Sequence, residues 1–466
     1  MDTIASGLFV PPVPTPPEAP LPMRGFLRAI RENALTMWPE AAYHDQVLVR
    51  QFFGRKNFLL NAPDAIHHVL VDNHANYRRT PASIRILRPI TGNGLLLSSG
   101  DAWRLQRRTI APALGPRVLP LLCRHIMTST VEALEALDPN QPLDLLTFMQ
   151  TLALDIAGRS MFSLETRQYG AAMRRLLTEF GERFAQPHLF DMLLPASIPT
   201  LRDWRRAHFS KRWMHLIESM MRQRAASPGP VAAKPRDLFD LLTSARDPET
   251  GTGFSMVELR DQVATLILAG HETTAVTLFW ACVLLARAEG IQDWMAEELV
   301  GLDLTNDSVQ AKLIRTRSVV NETLRLFPAA FTLVRETILP DQIGDLRLPR
   351  QAVVMIAPWV LHRHHALWTD PAAFNPTRFM PEALPPPRFA FMPFGAGPRI
   401  CVGAQFAMAE AVLVLASVIQ RFRITMDASP PVMPTAVVTT QPDHAPLFHL
   451  RRRAVQRRAD PIRPAS

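Results

Sequence analysis

Cysteine is scarce. The 466 residues hold three, Cys123, Cys282 and Cys401, and none stands in a Cys-x-x-Cys pair. That pattern excludes a disulfide framework and a structural zinc site, and it fits a reducing cytoplasm. Length alone would suggest about three domains, but no linker interrupts the interior and no internal repeat recurs. The reading is one large domain over residues 38–450. The first residues lack the basic start and sustained apolar core of a secretory leader, and they offer no run able to span a bilayer. Seven prolines stand between Pro11 and Pro22 instead, within a proline-rich segment 1–37. Acid is scarce at the other end. Residues 451–466 carry Arg451, Arg452, Arg453, Arg457, Arg458 and Arg463 against Asp460 alone, which supplies +5 of a formal net charge of +9. A charged terminus of this kind is ordinarily solvated. No aromatic interleaving or groove-reading helix accompanies it, so no nucleic-acid partner is expected.

What is present fits a globular chain with a large core: 47% hydrophobic and 20% charged residues. From Gln46 to Asn61 the pattern reads as two short strands around a turn at Gly54, and Pro63 suits the first turn of a helix. Ala82 to Ser99 is aliphatic but irregular, with Pro89, Gly92 and Gly94 breaking any long element. Two readings stand open there, a loop packed on the core or a flexible apolar lid. Helical periodicity recurs from 118 to 225, and Phe184–Pro199 is apolar and broken by prolines. Ala436–Thr440 and Pro446–Leu450 read as a strand pair.

Three stretches carry chemistry. In Phe394-Gly395-Ala396-Gly397-Pro398-Arg399-Ile400-Cys401-Val402-Gly403, glycines surround a lone cysteine and a helix-forming run to Phe422 follows. Glycine lets a backbone approach a flat ligand and aim N–H groups at one sulfur. Taken alone, the cysteine could equally be structural and buried. Further back, Ser255-Met-Val-Glu258 has the form of a capping box, and the periodicity then runs to about Ala288. At the helical rise, those roughly 33 residues span about 50 Å. Ala269-Gly270-His271-Glu272-Thr273-Thr274 interrupts the apolar run at its centre, which argues against a membrane span. Ala269 and Thr273 lie one turn apart, where the threonine hydroxyl can either bond back to its own helix or open a place for a small molecule. An acid beside an alcohol can relay protons. Finally, Trp103 and Arg107 share a helical face on which an indole N–H and a guanidinium suit a carboxylate.

The cysteine stretch fills every fixed position of Phe-x-x-Gly-x-Arg-x-Cys-x-Gly, and with the 269–274 hexapeptide it resembles the cytochrome P450 family. Glu322-Thr-Leu-Arg325, followed by Arg378 in Phe374-Asn-Pro-Thr-Arg378-Phe379, agrees with that resemblance. It implies a mainly α fold with a smaller β part (α+β), with haem between the long central helix and the cysteine loop. Haem b (heme b, iron protoporphyrin IX) would take Cys401 as its thiolate metal ligand. Phe394 and Gly395 would cradle it on one side, Ala269 and Gly270 on the other. Trp103, Arg107, Arg335 and Arg399 would bind its propionates. Thr273 and Glu272 are the expected catalytic pair, and Glu322, Arg325 and Arg378 a buried structural triad. Ile84, Leu87, Ala269, Ala330, Phe331 and Leu333 would line the substrate pocket, with Phe184–Pro199 over its entrance.

The implied reaction is insertion of one atom of dioxygen into a C–H bond of a hydrophobic small molecule such as a fatty acid, a terpene or an aromatic. Electrons would come from a ferredoxin or flavodoxin-type donor with its reductase, because no flavin or iron–sulfur domain is present. The expectation is a soluble bacterial member, cytoplasmic and without a membrane anchor. Two rivals stand beside it: a peroxide-driven haem-thiolate enzyme, which would dispense with the acid–alcohol pair, and a non-catalytic haem sensor, which would need an output module.

Overall fold

The computed structural model describes residues 8–52, 54–163, 169–194, 198–226, 235–306, 308–427 and 430–454. Helices dominate, as expected. One of them, Met256–Arg287, runs through the middle of the molecule. Its capping box forms: Ser255 Oγ accepts from the Glu258 N–H at 3.3 Å, and the Glu258 carboxylate accepts from the Ser255 N–H at 2.9 Å. Among the described residues two helices, this one and Ala404–Arg421, are long and apolar enough to cross a bilayer. Of their apolar windows, 67% and 61% are buried inside the molecule, as in core helices.

The central helix joins two hydrophobic clusters. Leu259, Val263, Ala264 and Ile267 pack into one, and Ala275 to Leu285 into the other. Stacking of Trp280 on Phe327 at 4.1 Å anchors the second, and a side chain of that size contributes about 3 kcal/mol when buried. Between them, residues 269–274 belong to neither cluster, and Ala269 is exposed although it lies mid-helix. A gap in the packing therefore falls at the polar centre.

Among the described residues twelve short strands form the β part: β1 (Val47–Phe52), β2 (Arg55–Leu60), β3 (Tyr77–Arg78), β4 (Leu143–Asp144), β5 (Leu333–Thr337), β6 (Asp341–Ile343), β7 (Leu346–Leu348), β8 (Val353–Ile356), β9 (Phe422–Met426), β10 (Pro434–Ala436), β11 (Thr440–Pro442) and β12 (Leu447–Arg452). The largest sheet has the order β1-β2-β8-β5-β3, with β2 and β8 parallel and the other pairs antiparallel. The hairpin around Gly54 is as expected. The expected pairing of 436–440 with 446–450 is not. Instead β10 pairs with β11 in a tight hairpin, and β12 pairs with β9 and β4. Residues 437–439 are the turn of that hairpin, and the alternating Phe422–Met426 strand supplies the partner that β12 needs.

A second correction concerns 82–99. Residues Pro81–Thr91 form a helix despite Pro89, because Pro81 sits at its first position and Thr80 caps it, its Oγ1 accepting from the Ser83 N–H. The loop that follows is packed rather than free. The Asn93 N–H donates to Asp261 Oδ2 and the Leu95 N–H to Gln262 Oε1, each at 2.8 Å. A Cβ at Gly94 would lie 2.1 Å from Thr265 Oγ1, so only glycine fits there.

The N-terminal prolines lie against this body. Phe9, Val13, Leu21 and Phe26 pack on the larger cluster, and a helix spans Met23–Glu32. In the Phe184–Pro199 stretch a short helix covers Leu189–Leu193. Positions 195–197, and the tail beyond 454, lie outside the described residues.

Candidate haem-binding and active site

The cysteine loop follows from its own residues. The Cys401 N–H donates to the Phe394 carbonyl at 2.9 Å and the Gly395 N–H to Met392 at 3.1 Å. Gly397 has φ +70, and a Cβ there would stand 2.0 Å from the Leu70 carbonyl oxygen, so no other residue can turn the chain at this point. Upstream, the Met392 N–H donates to His362 Nε2 at 2.9 Å, which bolts the loop to the core. Burial pushes the His362 imidazole down to about 3, so it stays neutral and able to accept.

The helix Ala404–Arg421 begins directly after the cysteine, so its N-terminal N–H groups face the sulfur's end of the loop. Burial pushes the Cys401 thiol up, while the Gly403 N–H and the Arg107 guanidinium pull it down. Cys401 is nevertheless accessible at the surface of its loop. The other cysteines differ. Cys282 is in the core with its thiol pushed up to about 12, and Cys123 is buried with Gln310 donating to it.

On the opposite wall, Thr273 donates its hydroxyl to the Ala269 carbonyl at 2.7 Å. Of the two readings open in the sequence, the structure thus has the threonine bonded back to its helix, with the hydroxyl oxygen still able to accept. His271 points away, bonding the Gln150 carbonyl, and burial pushes it down to about 4. Glu272 does not bond to its neighbour Thr273. One of its oxygens, Oε1, accepts from Thr439 Oγ1 at 2.9 Å and from Gln441 Nε2 at 2.7 Å. Sequence reasoning missed both partners, which lie more than 160 residues away.

A cationic rim lines the gap. Arg399 lies over the Trp103 ring at 4.4 Å and donates to the Ser98 carbonyl. Arg107 donates to Ile400 O at 2.7 Å and Arg335 to Val334 O at 2.9 Å. Arg79, absent from the sequence-based set, joins them. Burial lowers it to about 9, helped by Arg335 and Arg399, and burial lowers Arg335 to about 10, helped by Arg399. Arg79 Nε is buried without a hydrogen-bond partner. No carboxylate among the described residues pairs with any of these four guanidiniums. A dianionic group is what they lack.

Of the expected pocket residues, Ala269 and Ala330 are open, and Ile84, Leu87 and Leu333 are half-buried. Phe331 differs: it is buried in the core, edge-on to Trp38. Leu333 reaches the cysteine loop, its Cδ1 lying 3.9 Å from where a Cβ would stand on Gly395. Next to Ile84 in the chain, Arg85 clasps the 184–199 stretch, donating to the carbonyls of Phe190, Leu194 and Ile198. Glu322 and Arg325 come together as a buried pair, and Arg378, expected to be buried with them, joins them only half-buried. Arg325 binds both Glu322 oxygens, at 2.7 and 2.8 Å, and Arg378 Nε stands 3.5 Å from Glu322 Oε1.

An accessible thiol in a glycine-rich loop, small accessible residues in the middle of the central helix and arginines without carboxylate partners suit a flat iron macrocycle bearing two carboxylates. Comparison with known proteins agrees. Residues 14–447 match the family described as Cytochrome P450. Cyclooctatin synthase of Streptomyces melanosporofaciens is 31% identical over 409 residues, 87% of this chain and 88% of that one. Cyclooctat-9-en-7-ol 5-monooxygenase of the same organism is 27% identical over 425 residues, 88% and 91% of the two chains. The chloroplastic protein LUTEIN DEFICIENT 5 of Arabidopsis thaliana is 28% identical over 456 residues, 91% and 75%. The chain belongs to the cytochrome P450 family of haem-thiolate monooxygenases, which hold haem through a cysteine thiolate and draw on dioxygen and redox partners.

Proposed function

We propose that this monooxygenase hydroxylates a cyclic terpene or terpene alcohol, in the cytoplasm, with electrons from a separate ferredoxin or flavodoxin-type donor. Bound haem supplies dioxygen activation and insertion of one oxygen atom into a C–H bond. The chain's own residues do the rest. Cys401 donates the thiolate, and Arg79, Arg335, Arg399 and Trp103 hold the propionates. Ala269 and Gly270 leave room for the ring on the distal wall. Thr273 offers a hydroxyl that accepts or passes a hydrogen bond there, and Glu272 beside it is the acid of the relay.

What supports the substrate class is that Ile84, Leu87, Ala269, Ala330 and Leu333, read here as one wall of the pocket, are all uncharged and half-buried or open. A rigid, bulky hydrocarbon can fill such a wall with little loss of its own freedom. The names of the two Streptomyces relatives, a synthase of cyclooctatin and an oxygenase acting on cyclooctat-9-en-7-ol, support the same choice.

The test is a spin-state titration of the ferric holoenzyme with three probes: a polycyclic terpene alcohol, lauric acid and an alkylbenzene. The reading expects the terpene alcohol to shift the Soret band at concentrations at least about tenfold lower than the other two, about 1.4 kcal/mol of preference. Tighter binding of lauric acid would replace it with a fatty-acid reading.

A further inference from the structure

The tip of the β10–β11 hairpin holds the acid of the proposed proton relay. Thr439 Oγ1 and Gln441 Nε2 both donate to Glu272 Oε1, and Gln441 Nε2 also reaches Thr439 Oγ1 at 3.0 Å, closing a ring of three side chains. The second carboxylate oxygen, Oε2, makes no hydrogen bond to any described residue. One oxygen is anchored and the other is available.

The anchor is itself rigid. Thr440, between the two donors, is fully buried. Its Oγ1 donates to the Pro328 carbonyl at 2.6 Å, its N–H donates to Ala329 at 3.2 Å, and its carbonyl accepts from Trp280 Nε1 at 2.9 Å. Trp280 lies two turns beyond Glu272 on the same helix, so the hairpin is tied to that helix twice. At the hairpin's base, Asn33 donates to Pro434 O and accepts from the Ala436 N–H. Pro328 and Ala329 lead directly into the segment that carries Ala330 and Leu333. One short hairpin thus fixes the acid, the central helix and the start of that segment relative to one another.

We propose that Thr439 and Gln441 are positioning residues for Glu272, holding Oε1 so that Oε2 alone picks up a proton from water and releases it toward Thr273. The O–H bond formed at Oε2 breaks in the same cycle, and the carboxylate is restored with no change in electron count. A side chain with three rotatable bonds gains most from such a clamp, because a displaced donor loses its geometry before it loses its acidity. This inference rests on the reading of Glu272 as the relay acid.

The test uses the full-length holoenzyme with Gln441→Leu, Thr439→Val, the double variant, Thr439→Ser and Glu272→Gln. Two readouts are taken. One is the infrared C–O stretch of the reduced protein with carbon monoxide as probe. The other is the split of dioxygen, consumed without added substrate from a ferredoxin and its reductase, between water (four electrons) and hydrogen peroxide (two electrons). The expected result is a C–O stretch in the double variant displaced as in Glu272→Gln. The peroxide-to-water ratio should rise about fivefold, a modest part of what a misplaced proton donor costs. Thr439→Ser, which keeps the hydroxyl, should restore the wild-type values. Adding Gln441→Leu to Glu272→Gln should change neither readout further. An unchanged ratio in the double variant, or a further rise on the Glu272→Gln background, would overturn the anchor. No effect of Glu272→Gln itself would instead overturn the relay on which it rests. Should the double variant fold poorly, Gln441→Met, close in volume, carries the same expectations.

Discussion

Arg325→Ala is expected to destabilise the protein by about 3–5 kcal/mol, the cost of leaving one member of a buried ion pair alone. Neither Arg325 nor Glu322 has any exposed surface, and Arg325 satisfies more than the acid. Its Nη1 donates to the carbonyls of His362 and Pro371, and its Nη2 to that of Ala373, all within 2.9 Å. Its guanidinium also lies 5.1 Å from the Trp368 ring centre. Alanine would strand three carbonyls and a carboxylate held only by Arg378 and the Asn375 N–H. The carbonyls matter for the site as well, since His362 carries the bond to Met392 at the root of the cysteine loop. Urea denaturation of the purified variant checks the magnitude. A loss below about 1 kcal/mol would place this group among ordinary surface pairs.

The second large effect has two signs. Arg335→Gln is expected to weaken haem retention by about tenfold or more, the value of one charge-assisted hydrogen bond. The same substitution should leave the haem-free protein equally stable or more so. The reason is the unbalanced group of Arg79, Arg335 and Arg399, in which burial and mutual repulsion both disfavour the charged guanidinium of Arg335. Removing one charge relieves the empty site and impoverishes the filled one. Haem transfer to apomyoglobin measures the first quantity and thermal melting of the apoprotein the second. A parallel fall in both would mean that Arg335 is a structural residue rather than a carboxylate ligand.

Much of this site could be read from local sequence, because its parts are short and sterically strict. Gly397 needs a positive φ and a backbone neighbour 2.0 Å from its missing Cβ, so the cysteine loop admits few alternatives. Ser255 and Glu258 stand three apart, and their reciprocal bonds form wherever that spacing starts a helix. Contacts across the chain were not legible. Arg79 is an unremarkable arginine in Tyr77-Arg-Arg-Thr until folding sets it beside Arg335 and Arg399. The partners of Glu272 sit on a hairpin that local pattern does not show, because the strand-like residues 437–439 form its turn. In Pro81–Thr91 the starting signal of Thr80 and Pro81 outweighs the breaking power of Pro89 and Gly92. Phe331 is apolar in a segment next to the pocket, and only packing against Trp38 decides that it belongs to the core.

The account depends most on Cys401 binding haem iron as a thiolate. The direct measurement is the absorption spectrum of the dithionite-reduced protein under carbon monoxide, for wild type and Cys401→Ser. The prediction is a strongly red-shifted Soret band in wild type that vanishes in the variant, while Cys123→Ser and Cys282→Ser keep it. A wild-type band where histidine-ligated haem absorbs, or a shifted band that survives Cys401→Ser, would contradict the assignment.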